Sequence, residues 1–157
     1  MNPTIKNLTM SNLETARLLH PANGRLRKPR VLVLVEGVDE VTRVTIAYAQ
    51  SLVAERVRAV HIVRSPSDAR RLQEAWAIGA TAEVPLLLVE SMESSVALAL
   101  KSVIASERPD ATHPVLLLVP EGGVRRSPFG RGSDHELAVA FRDADGVFVV
   151  YVDEAPM

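Results

Sequence analysis

Two runs of five residues, Val31-Leu-Val-Leu-Val35 and Val115-Leu-Leu-Leu-Val119, are apolar at every position. A strand with one face in water alternates apolar and polar residues, so a run without alternation must be covered on both faces, the condition met by a parallel sheet between two layers of helices. Three further runs rich in β-branched or leucine residues, Val57 to Val63, Pro85 to Glu90 and Gly146 to Val152, bring the number of expected strands to five. The segments between them change to helical period. Glu40 to Arg56 sets Val41, Val44, Ala47, Tyr48 and Leu52 on one stripe, and Ser94 to Ser106 offers Val96, Leu100, Val103 and Ile104. Ser65-Pro66-Ser67-Asp68 supplies a cap residue and a proline at the first helical turn ahead of Leu72, Ala75 and Trp76, and a last helix is expected over Ser133 to Asp143. Strands alternating with helices imply right-handed crossovers and a three-layer, doubly wound α/β domain.

Residues 30–157 make up this domain, and residues 1–29 read as an arm or linker. The arm ends in the basic stretch Arg25-Leu-Arg-Lys-Pro-Arg30 and contains one capping box, Ser11 with Glu14, which predicts a short docking helix. A length of 157 residues with 47% hydrophobic content supports one folded unit. Eighteen basic and 19 acidic residues, interspersed, give a formal charge of -1 and no basic field for nucleic acid. The absence of cysteine excludes disulfides and thiolate chemistry. No signal-peptide layout opens the chain and no apolar run reaches the ~20 residues that span a bilayer, so a cytoplasmic location is expected.

Catalytic constellations fail on spacing. Ser133, Asp134 and His135 are consecutive, so on a helix they diverge, and the four histidines show no paired metal-ligand spacing. His61, inside a strand, reads as a packed or hydrogen-bonded residue, and Trp76 as helix-to-sheet packing. No enzyme and no metal are expected. In a doubly wound sheet a ligand sits outside the carboxyl ends of the strands where the winding reverses, which selects the loops Val35 to Asp39 and Pro120 to Gly132. The second loop joins glycines to a helix N-terminus and carries Arg125, Arg126 and Arg131, the makings of an anion site. Ser133 with Glu136 is also a capping box, and Asp134 and Glu136 oppose an arriving phosphate.

The opening Val31-Leu-Val-Leu-Val-Glu-Gly-Val-Asp-Glu, the helix with Ala47-Tyr-Ala, and Ala59-Val-His-Ile-Val resemble the first βαβ unit of universal stress proteins. That family marks its nucleotide site with a glycine, two residues, a glycine, nine residues, then glycine and serine or threonine. Gly122, nine residues and Gly132-Ser133 match the latter part, while Val119 holds the first glycine position. The resemblance implies strand order 3-2-1-4-5, with Val35, Glu36 and Gly37 flanking adenine, Ile62 lining it, and Gly122, Gly132 and Ser133 holding ribose and phosphates; Glu36 stands where the family commonly has aspartate. Arg30 after a basic linker, the charged helix Asp68 to Trp76, and Val119-Pro-Glu-Gly-Gly-Val-Arg-Arg126 are similar to the universal-stress-like domain behind the membrane helices of amino acid, polyamine and organocation transporters.

What the resemblances imply is a non-catalytic regulatory or assembly domain that binds ATP, AMP or cyclic di-AMP, fused or docked to a transporter. A free-standing, ATP-binding stress protein and a dimerisation module with a vestigial pocket are the alternatives. The implied strand order leaves the last strand, Val147, Phe148, Val149, Val150, Tyr151 and Val152, at an edge with no charge or proline to protect it. A homodimer through this strand is expected, a second copy pairing with it antiparallel across a two-fold axis; the competing cover is the chain's own N-terminal arm, Met1 to Pro29, which would leave a monomer.

Overall fold

The computed structural model describes residues 4–6, 27–91, 95–108, 112–121, 137 and 139–153. The strands are β1 (Thr4–Lys6), β2 (Arg30–Leu34), β3 (Arg56–Val63), β4 (Leu86–Glu90), β5 (Val115–Pro120) and β6 (Val147–Asp153). The helices are α1 (Glu40–Ser51), α2 (Pro66–Trp76) and α3 (Val96–Glu107), with a 3₁₀ turn at Gly79–Glu83. Leu137 and Val139 to Phe141 are also helical, within the expected last helix.

One sheet has the order β1-β6-β5-β2-β3-β4. The pairs β2–β3, β2–β5, β3–β4 and β5–β6 are all parallel, so the five expected strands take the order 3-2-1-4-5. Alternate residues of the central strands feed two cores. On one face Leu32, Leu34, Val60, Ile62, Leu117 and Val149 pack with Leu100, Val103 and Ile104 of α3 and with Phe141. On the other Val31, Val33, Val35, Ala59, Leu118 and Val150 meet Ile46 and Ala49 of α1 and Leu72 and Trp76 of α2. Burying each such Val or Leu contributes ~1.5–3 kcal/mol, which explains why the runs carry no polar interruption.

The helices differ from the sequence reading in detail. Helix α1 stops at Ser51, because Leu52 turns extended (ψ 150°) and Glu55 N–H is drawn 2.8 Å from the Pro29 carbonyl to start β3. Its buried stripe is Val41, Thr42, Thr45, Ile46 and Ala49, rotated away from Val44, Ala47 and Leu52. Two threonines pass as core residues here: the Thr45 hydroxyl donates to the Val41 carbonyl at 2.7 Å, so its polar atom is satisfied inside the helix. Trp76 is buried as expected, its Nε1 donating to the Val84 carbonyl at 2.7 Å.

The edge at β6 is covered over part of its length by the competing cover. Strand β1 pairs with it antiparallel, Thr4 opposite Asp153, Ile5 opposite Val152 and Lys6 opposite Tyr151, so the N-terminal arm takes the edge at Tyr151 to Asp153. Phe148 and Tyr151, the residues a homodimer would bury, are already 2% and 3% exposed, one in each core. Strand side chains point to the faces, and β6 has both faces covered, so only its backbone is available for edge pairing.

Candidate functional site

Strands β2 and β3 end side by side, and the chain leaves each into a loop that leads to a helix. Beyond β2 the chain passes through Val35, Glu36, Gly37 and Val38 to Asp39, the N-cap of α1, whose carboxylate accepts from Thr42 N–H at 2.9 Å. Beyond β3 it passes through Arg64 to Ser65, the N-cap of α2, whose hydroxyl accepts from Asp68 N–H at 3.2 Å. Between these two loops and the face of α2 lies a cleft of about 550 Å³. It is lined by Glu36, Gly37, Val38 and Asp39 after β2, by His61 and Arg64 at the end of β3, and by Asp68, Arg71, Leu72 and Ala75 of α2.

The sequence-derived residues are distributed unevenly around it. Glu36 and Gly37 line the cleft. Val35 supports it from beneath: it is wholly buried, its N–H donates to the Val60 carbonyl at 2.9 Å, and its carbonyl faces His61 Nδ1 at 2.9 Å. Ile62 is not at the cleft. It lies in the core on the α3 face of the sheet, since a residue next to a cleft-facing position in a strand points the opposite way. The position with the right parity is His61. Gly122, Arg125, Arg126, Arg131, Gly132 and Ser133 lie outside the described residues.

His61 is, as its place inside a strand predicts, packed and hydrogen-bonded. The ring is 6% exposed, and because a carbonyl only accepts, Nδ1 carries the proton that is shared with Val35. Nε2 is buried and has no hydrogen-bond partner; among the described residues no other buried side-chain nitrogen or oxygen is left this way. Charge around the cleft is mixed, three carboxylates (Glu36, Asp39, Asp68) against two guanidiniums (Arg64, Arg71). This wall therefore suits a neutral, hydrogen-bonding group better than a phosphate.

At the opposite, amino-terminal end of the sheet, charges serve structure. Glu107 at the end of α3 is 2% exposed and accepts from Arg56 at 2.9 and 2.6 Å and from Arg58 at 3.1 Å. Arg30 bridges the Glu107 carbonyl and Glu55, and that hydrogen bond holds the Glu55 carboxyl below its ordinary range.

A three-layer parallel sheet with a cleft outside the carboxyl ends of its strands is the architecture of small-ligand and nucleotide-binding α/β domains. The chain belongs to the family of the KimA potassium transporter C-terminal domain, whose model matches residues 27–153. The transporter-domain resemblance thus has a family behind it, while the universal stress resemblance rests on the strand order. No curated protein matches the chain. Among the described residues no helix is long and apolar enough to cross a membrane.

Proposed function

We propose that the chain is a non-catalytic regulatory domain of a potassium transporter, at the cytoplasmic face of the membrane, that binds an adenine nucleotide (ATP, AMP or cyclic di-AMP) in the cleft beyond β2 and β3. The observation that carries the reading is the cleft itself, at the carboxyl end of a doubly wound sheet in a chain of a transporter-domain family. The base would lie against Gly37, Leu72 and Ala75; Arg125, Arg126, Arg131, Gly132 and Ser133, outside the described residues, are the phosphate contacts that the sequence suggests. No turnover is proposed: among the described residues lining the cleft there is no serine or threonine, and the proton-bearing side of His61 is committed to a backbone carbonyl. A homodimer that pairs β6 at Tyr151 and Val152 requires Thr4–Lys6 to leave the edge.

Calorimetric titration of the intact chain with ATP, AMP and cyclic di-AMP, with mass spectrometry of any ligand released on denaturation, tests the proposal. Gly37→Leu supplies the control. A Cβ at Gly37 meets nothing within 4 Å, so the fold accepts it while the longer side chain occupies the cleft. Binding should weaken at least about tenfold, a loss of ~1.4 kcal/mol, with the thermal midpoint unchanged. Unaltered binding in Gly37→Leu would move the site elsewhere.

A further inference from the structure

We propose that His61 reads the ligand's base: its Nε2 accepts a hydrogen bond from an amine on the base edge, so the cleft selects a 6-amino purine over a 6-oxo purine. The inference rests on the nucleotide reading above and adds to it the residue and the sign of the selection.

A buried acceptor without a partner is destabilising, and native proteins leave few of them, so each calls for an explanation. Here the usual explanation, a neighbouring side chain or backbone donor, is absent for Nε2 while the other ring nitrogen is firmly held at 2.9 Å. The Val35 carbonyl fixes both the tautomer and the direction of the ring, because an imidazole with its proton on Nδ1 must present a lone pair at Nε2. That lone pair belongs to a residue lining the cleft together with Gly37 and the apolar pair Leu72 and Ala75 on α2. Glu36, Asp39 and Asp68 add acceptors to the same cleft, beside the donors of Arg64 and Arg71. An adenine-type edge supplies a donor for Nε2: its exocyclic amine donates, its ring is flat enough to lie against Leu72 and Ala75, and it carries no charge to be repelled. A 6-oxo purine presents a carbonyl at the same place, setting lone pair against lone pair. A site that pairs a polar group discriminates strongly against an analogue that leaves it unpaired. A metal cation is a poorer match: among the described residues no group of three or more His, Asp or Glu side chains is placed to hold one.

The experiment compares AMP with IMP on the intact chain by calorimetry, first in the unaltered protein and then in His61→Asn. An asparagine amide can reproduce the Nδ1 donation to Val35 and cannot reproduce the Nε2 acceptor. In the unaltered protein AMP should bind roughly ten- to a hundredfold more tightly than IMP, the size of one hydrogen bond lost and one acceptor left unpaired. In His61→Asn the ratio should fall to within about threefold, with AMP weakened and the thermal midpoint near that of the unaltered chain. Equal affinities for AMP and IMP in the unaltered protein overturn the role of His61 and leave nucleotide binding standing. A preference that survives in His61→Asn does the same. If neither nucleotide binds, the nucleotide reading itself fails and the selection falls with it.

Discussion

Gly146 is the residue whose replacement the structure judges most sharply. Its φ of 76° lies in the left-handed region, and a Cβ built there would come 2.8 Å from Cζ of Arg108. Arg108 fills that space for a reason: its guanidinium donates to the His113 carbonyl at 2.9 Å and to the Asp145 carbonyl, closing the turn before β6 onto the end of α3. Gly146→Ala therefore combines backbone strain of ~1–2 kcal/mol with displacement of a charged donor. A loss of roughly 2–4 kcal/mol in urea unfolding is expected, and a loss under ~1 kcal/mol would mean that Arg108 moves aside freely. His61 teaches a different lesson at this scale. Its neighbour Ile62, which the family resemblance puts at the adenine, is one step of strand parity away and lies in the core on the other face of the sheet. Parity was readable from the outset, because Ala59 and His61 alternate with the apolar pair Val60 and Ile62; what no sequence reveals is that one ring nitrogen finds a carbonyl and the other finds nothing.

At the scale of elements, the strands were legible because each is buried on both faces and so spells its own role in consecutive Val and Leu. The helices were less so. Helix α1 hides Thr42 and Thr45, and a threonine whose hydroxyl bonds back along the helix packs like valine, which a pattern of apolar residues does not capture. Helix α3 ends in a buried glutamate, equally invisible to that pattern, since Arg56 and Arg58 come from a strand 49 or more residues away. The Glu107 cluster makes an asymmetric prediction. The two arginine side chains are 37% and 36% exposed and can be hydrated when the carboxylate is removed, whereas Glu107, at 3%, cannot be when the arginines are removed. The double change Arg56→Met with Arg58→Met should thus cost ~3–5 kcal/mol, the scale for a buried charge left unpaired. Glu107→Gln should cost less, roughly 1–3 kcal/mol. Equal urea midpoints for the two variants would contradict this account.

For the molecule as a whole, the sequence points to a second copy over the last strand, and the structure lays the chain's own β1 along Tyr151 to Asp153. Nothing in Thr4-Ile-Lys6 marks a strand of a parallel sheet; it joins because an apolar edge strand offers unpaired N–H and C=O groups to any extended segment within reach. Removing residues 1–26, while keeping the Arg27 N–H bond to the Thr112 carbonyl and the Pro29 carbonyl bond to Glu55, reopens that edge. The shortened chain should self-associate in sedimentation at concentrations where the intact chain is monomeric, and equal sedimentation of the two would deny β1 its protective role. The same ladder has a mechanical consequence. With Thr4 opposite Asp153 and Lys6 opposite Tyr151, the chain enters and leaves at one end of the β1–β6 pair, so a pull on the two termini peels the ladder one pair at a time. It holds by three residue pairs, against four to six in each parallel pairing, none of which lies in line with that load until β1 is gone. Tension carried through the polypeptide would be spent first on this hem, leaving the cleft between β3 and α2 undistorted.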